Sequence, residues 1–212
     1  MKLFSDSFQD GGAIPGEFAF AVIAPGTHVS LSANRNPHLR WQDAPAGTKS
    51  FALICHDDKV PSRPDDVNQE GREVPADLPR VDFYHWTLFN LLPTLHEITA
   101  GSQSQAVTPR GKSTEVPGHL GPQVQHGIND YTAWFAGDVG MGGDYYSYDG
   151  PCPPWNDSLV HRYVFTLYAL DVASLDVKGK PVGAAVLAAL QGHVLAKASI
   201  TGTYSLNPRL SK

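Results

Sequence analysis

Short runs rich in β-branched and aromatic residues recur along the chain between clusters of Gly, Pro, Asn and Asp: His28–Ser32, Ser50–His56, Asp82–Asn90, Tyr131–Phe135, His161–Leu170 and Ala196–Tyr204. These runs predict strands. In the fifth, His161, Tyr163, Phe165 and Leu167 alternate with Arg162, Val164, Thr166 and Tyr168. Successive strand side chains point to opposite faces, so both faces of this strand read as half-buried, as in a β-sandwich. A different period appears near the C-terminus, where 181–192 combines an early Pro, strong helix formers and a closing Gly. There Val182, Val186, Leu187 and Leu190 fall on one stripe and predict a helix packed against the sheets. Two long stretches carry neither period: Ser62–Val81, with Asp65, Asp66, Glu70 and Glu73, and Gly101–Asn129, rich in Gly, Ser, Gln and Pro. Loops of that length tend to be functional or mobile, the plainer reading being simple insertions between strands.

Composition narrows the picture. With 20 Gly and 17 Pro among 212 residues, long helices are disfavoured, while 42 % hydrophobic content and 4 Trp, 8 Tyr and 9 Phe are enough for a packed core. Neither an internal repeat nor a low-complexity linker divides the chain. The expectation is one mainly β domain over residues 1–212, an antiparallel sandwich with short peripheral helices. The 16 Lys and Arg against 21 Asp and Glu give a net charge of -5, without a basic run able to track phosphates, so no nucleic-acid partner is expected. No apolar run reaches the roughly 18 residues of a membrane span. The start, MKLFSDSFQDGG, lacks the apolar stretch and cleavage site of a secretory leader, which points to the cytoplasm. Cys55 and Cys152 lie far apart and outside any Cys-x-x-Cys pair, which argues against a disulfide and against zinc.

Three clusters carry candidate chemistry. Cys55-His56-Asp57-Asp58-Lys59 ends an apolar run, and alternation puts Asp57 on the face of Leu53 and Cys55, at the inner rim of a sheet where a carboxylate needs partners. The plainer reading is a strand-end Asp capping a turn before Pro61. In the second, alternation places Phe83, His85 and Thr87 on one face and Tyr84, Trp86 and Leu88 on the other. His85 is then either a ligand contact or a hydrogen-bonded core residue. The third is Gly150-Pro151-Cys152-Pro153-Pro154, followed by His161-Arg162-Tyr163, where a stiff segment poor in N–H donors can wall a pocket or simply form a rigid loop. His, Tyr and Asp at strand ends beside long loops suit an anion or an amine. No His-Glu-x-x-His or His-x-His spacing suggests a metal, no Gly-x-Ser-x-Gly elbow suggests a serine hydrolase, and Gly137–Gly143 lacks the Lys-Ser/Thr of a phosphate loop and reads as a flexible turn.

Taken in order, these clusters resemble the phosphatidylethanolamine-binding protein family, also called the Raf kinase inhibitor-like proteins, in its bacterial and archaeal branch. The likeness runs from about Phe4 to Tyr204. Asn36-Pro37-His38-Leu39-Arg40-Trp41 is similar to that branch's Asn/Ser-Pro-x-Leu-x-Trp segment, and Tyr84-His85-Trp86 to its His-Trp strand. Gly150-Pro151-Cys152-Pro153-Pro154 with His161-Arg162-Tyr163 is similar to its Gly-x-Pro and His-Arg-Tyr signature. His56-Asp57-Asp58-Lys59-Val60-Pro61 stands where the family has Asp-Pro-Asp-x-Pro, with Asp58 in place of Pro and Lys59 in place of the second Asp.

The resemblance implies a β-sandwich with a C-terminal helix and a small pocket for phosphate-like or carboxylate anions, without a cofactor. The family's pocket residues carry over onto Asp57, His85, Gly150, Pro151, His161 and Tyr163. A non-enzymatic binding protein is therefore expected, with His85, His161 and Tyr163 donating to an anionic head group, Asp57 orienting a His or receiving an ammonium, and Gly150 and Pro151 walling the pocket. The alternative is a regulatory module that binds a kinase, protease or other protein through the loops, and a third reading is a hydrolase or isomerase using Asp57 and His85. Homodimerisation is an expectation from the family alone.

Overall fold

The computed structural model describes residues 1–116 and 120–211. Its strands are β1 (Lys2–Phe4), β2 (Ala21–Ala24), β3 (His28–Leu31), β4 (Leu39–Gln42), β5 (Ser50–Pro61), β6 (Arg80–Leu91), β7 (Glu97–Ile98), β8 (Gln125–His126), β9 (His161–Leu170) and β10 (Val194–Tyr204). Two short helices join them, α1 (Tyr131–Trp134) and α2 (Gly183–Ala189). The main sheet runs β10-β9-β5-β6-β8, a second sheet runs β1-β4-β7, and β2 pairs with β3 as a separate hairpin. Every pairing between named strands is antiparallel. The part of the loop Gly101–Asn129 at residues 117–119 lies outside the described residues.

Alternation along β5 explains the layering. Phe51, Leu53 and Cys55 face the second sheet and join Leu3, Leu39, Trp41, Ile98, Phe165 and Leu167 in one apolar core. Ala52 and Ile54 face the other way and meet Val186 and Leu190 across Phe89 and Leu170. Full burial of the Leu, Ile, Val and Phe side chains among them contributes about 1.5–3 kcal/mol each. The helical stripe is thus only half used: Val186 and Leu190 are buried, whereas Val182 and Leu187 lie at the surface, because the helix starts after Val182 and is only seven residues long.

Tyr131–Phe135, expected as a strand, is the helix α1. Asn129 Oδ1 accepts the Tyr131 N–H, Asp130 Oδ2 accepts the Tyr84 N–H, and Tyr131 and Phe135 stack one helical turn apart with ring centroids at 5.6 Å. The aromatic content that suggests a strand instead serves an i,i+4 pair whose rings face Phe20.

Gly183 lets α2 approach the sheet, since a Cβ there would come within 2.2 Å of the Tyr84 ring. Gly183→Ala therefore destabilises the protein by about 1–3 kcal/mol through overpacking, although Ala is the better helix former by about 1 kcal/mol. Urea unfolding measures it, and a stabilised variant contradicts this packing.

Candidate functional site

At the end of the main sheet where β5, β6 and β9 meet the loop after β5, a cavity of about 390 Å³ opens. Its walls are mostly apolar, with Phe20, Val29, Leu31, Val67, Trp134 and Phe135 among them. Asp57, His85, His161 and Tyr163 supply its buried polar groups, and Arg63 stands at the mouth with its side chain 70 % exposed.

Asp57 and Tyr163 are register partners on β5 and β9, and both are buried. His161, two residues earlier on the same face of β9, donates from Nδ1 to Asp57 Oδ2 at 2.6 Å and from Nε2 to Asp157 Oδ2 at 3.0 Å. Arg80 closes the chain by bonding both oxygens of Asp157, at 2.6 and 3.1 Å. Burial opposes a charge on His161. The bonds to Asp157 and Asp57 outweigh it and push the pKa up to about 9, so the ring is an imidazolium at neutral pH. Asp157 is held below the usual carboxylate range, its bonds to His161 and Arg80 overcoming burial. The remaining Asp57 oxygen accepts the Lys59 N–H at 2.8 Å. That bond falls where β5 bulges between Asp57 and Val60, so the two residues that depart from the family motif lie in the bulge. The Asp58 side chain turns away to pair with Arg162 on the neighbouring strand.

His85 owes its position to a second bulge. Cys55 pairs with Trp86 and His56 with Tyr84, which leaves His85 as the extra residue of β6. Strict alternation therefore fails here: the partner of Asp57 is Phe83, on the same side as Trp86. The His85 ring packs edge-on to Tyr163 and Tyr131, with centroids at 5.0 and 5.6 Å. Its Nδ1 meets the Asp149 carbonyl oxygen at 2.7 Å, and its carbonyl accepts the Asp149 N–H at 3.1 Å. Burial pushes its pKa down to about 4, more than Asp57 and the Asp149 carbonyl raise it. The ring is neutral at pH 7, opposite to His161. The Tyr163 hydroxyl is buried close to Asp57, whose charge adds to burial in raising its pKa, and it makes no hydrogen bond of normal geometry among the described residues.

Behind this layer, the fully buried Asp149 carboxylate accepts from Asn34 at 2.7 Å, Asn129 at 2.8 Å and the Lys112 ammonium at 2.8 Å. Gly150 and Pro151 belong to this supporting layer and are not among the cavity-lining residues, which Cys152, Pro153 and Pro154 provide instead. The Gly150 N–H donates to Asn34 Oδ1, and a Cβ on Gly150 would lie 2.2 Å from the Phe18 carbonyl oxygen. The Pro151 carbonyl accepts the Phe20 N–H at 2.9 Å.

Much of the loop expected over Ser62–Val81 is anchored rather than free. Asn156 Nδ2 donates to the carbonyls of Asp66, Gln69 and Arg72, and its Oδ1 accepts the Asn68 N–H. Sequence reasoning missed Asn156, Asp157, Arg80 and Asp149. Asp157 stands four residues before His161, but outside a helix such spacing carries no geometry, and Arg80 comes from a distant strand.

The phosphatidylethanolamine-binding protein family model matches residues 4–205 of the chain. UPF0098 protein YbhB of Escherichia coli is 31 % identical over 97 % of this chain and 100 % of its own length. A UPF0098 protein of Methanothermobacter thermautotrophicus is 32 % identical over 96 % of this chain and 98 % of its own. The crystal structure of E. coli YbcL, described as a new member of the mammalian PEBP family, superposes with a TM-score of 0.64 at 25 % identity, covering 96 % of this chain and 97 % of YbcL. The Chlamydia trachomatis homologue CT736 gives 0.61 at 27 % identity, covering 96 % of each chain.

The two histidines predict a peaked stability profile. His161 binds its proton more tightly folded than unfolded, so its contribution is complete below pH of about 6.5 and is lost as pH rises through about 9, about 3 kcal/mol in all. His85 and His126, both pushed down to about 4 by burial, act oppositely: the unfolded chain takes up protons below about 6.5 that the folded chain refuses. Denaturant midpoints measured across pH therefore peak near 6.5, and His161→Gln flattens the decline between about 6.5 and 8. A wild-type midpoint that climbs over that interval contradicts the clamp.

Proposed function

The chain belongs to the phosphatidylethanolamine-binding protein family, and from that premise we propose that its cavity binds the anionic head group of a small molecule, a phosphate or a carboxylate, without transforming it. The observation that carries this reading is a buried hydroxyl without a partner, Tyr163, beside a cavity-lining imidazole, in a mostly apolar cavity large enough for a small ligand. An unmet hydrogen bond in such a place costs about 1–3 kcal/mol, and a ligand oxygen meets it. Asp57 and His161 serve as the floor rather than as reactive groups. Both His161 nitrogens and both Asp57 oxygens already hold hydrogen bonds, which leaves neither poised to move a proton to or from a ligand. The role of His161 is thus to fix Asp57 and the base of the site, and the direct contacts fall to Tyr163 and His85. The apolar walls, including the exposed Leu31 and Trp134 at the mouth, suit the organic remainder of the ligand.

With one or two polar contacts to the head group, affinity lies in the millimolar to micromolar range, about 4–8 kcal/mol. Calorimetry with phosphate, acetate and phosphoethanolamine tests this on the wild type, Tyr163→Phe and His85→Ala. The expected result is millimolar or tighter binding by the wild type; phosphate and phosphoethanolamine weaken by about threefold to tenfold in each variant, the worth of one hydrogen bond, and acetate, which has no hydrogen to give to the imidazole, weakens chiefly in Tyr163→Phe. Affinities unchanged in both variants overturn the assignment of the cavity.

A further inference from the structure

The hydrogen-bond polarity of the cavity restricts which anions it accepts. A carbonyl oxygen has no hydrogen to give, so at the 2.7 Å contact with Asp149 the proton must reside on His85 Nδ1. The backbone bond from Asp149 N–H to the His85 carbonyl holds the same two residues together, and the Lys112, Asn34 and Asn129 contacts fix Asp149 from behind. What remains on this cavity-lining ring is the Nε2 lone pair, an acceptor that makes no hydrogen bond among the described residues. Tyr163, 5.0 Å away between ring centroids, offers the complementary O–H.

The charges around the ring do not convert that acceptor into a donor. On the floor, Asp57 and Asp157 balance His161 and Arg80, leaving no net positive charge to hold a dianion. From β5, His56 lies 4.0 Å from Asp82 and shares that carboxylate's charge. Besides His161, β9 and α1 bring the phenols Tyr163 and Tyr131, and the segment before β9 the thiol of Cys152, all held protonated by burial, with the Asp57 charge adding to it at both phenols. Arg63 at the mouth is exposed and 3.7 Å from Asp65. An oxygen set against Nε2 must therefore bring its own hydrogen, while a second oxygen of the same group accepts from Tyr163.

We propose that this site, read as a head-group pocket as above, selects oxyanions that carry a hydrogen, namely hydrogen phosphates and singly charged phosphomonoesters, over oxyanions of similar shape that carry none. A phosphodiester, the linkage inside a phospholipid head group, has no such hydrogen, and neither has sulfate. A free phosphomonoester is thus the better ligand than the same phosphate esterified into a lipid.

Calorimetry of the full chain at about pH 5.5, below the phosphomonoester second pKa of about 6, compares monomethyl phosphate with dimethyl phosphate, both then largely monoanions, and phosphate with sulfate. Wild type should bind the hydrogen-bearing member of each pair at least about tenfold more tightly. In His85→Gln, whose amide supplies N–H donors in place of the lone pair, the gap should shrink to about threefold or less, chiefly through tighter sulfate and dimethyl phosphate binding. Equal affinities within each pair on wild type overturn the selectivity while leaving the head-group pocket standing. Failure of all four to bind overturns both, and the wild-type comparison decides even if the variant does not fold.

Discussion

The end of the main sheet holds a carboxylate in an apolar setting, and the clamp that neutralises it organises everything around it. Isolated, a buried Asp57 would be costly. It persists because His161 carries a compensating charge, Asp157 stabilises that charge from the other side, and Arg80 balances Asp157. This alternating chain ties β5, β9, β6 and the segment before β9 into one unit. Removing either inner member strands an end, Asp57 when His161 is lost and Arg80 when Asp157 is lost, at about 3–5 kcal/mol in comparable buried pairs. Arg80 also donates to the carbonyls of Lys59 and Pro75, so the clamp that fixes the cavity floor fastens both ends of the loop over it.

Two bulges convert a regular sheet into a site. One, at Asp58 and Lys59, turns the backbone so that an N–H caps the Asp57 carboxylate. The other ejects His85 from the ladder and delivers its ring to Asp149. As a result two histidines of one pocket have opposite states: His161 is charged because carboxylates grip both nitrogens, and His85 is neutral because burial dominates and its ring's one hydrogen-bond partner among the described residues is a backbone carbonyl. The neutral His85 gives the cavity its acceptor side, while the donor side is the Tyr163 hydroxyl, because both His161 nitrogens are already bonded to carboxylates.

Strand runs and pocket residues were legible in the sequence to different depths. Asp57, His161 and Tyr163 stand out because they end or begin strong alternating runs, and the structure brings them together with His85 around one cavity. Alternation fails at His85, where a bulge adds one residue and no composition signal marks it. Gly150 and Pro151 stand out as the start of a stiff Pro-rich segment, yet their placement one layer behind the cavity depends on Phe18, Phe20 and Asn34, more than 100 positions away in the chain. The helix at Tyr131–Trp134 is hidden because four residues are too few to show a period, and its aromatic content mimics a strand. The short strands β1, β4 and β7 escape notice for a similar reason, since their pairing comes from segments that are distant in sequence.

The buried clamp and the acceptor side of the cavity both depend on the opposite protonation of His85 and His161. Long-range nitrogen–proton NMR on imidazole-labelled protein at about pH 7 reads both rings directly. The predicted spectrum shows His161 with both nitrogens protonated and His85 as the neutral form with its proton on Nδ1. A neutral His161, or a His85 protonated at Nε2, would contradict it.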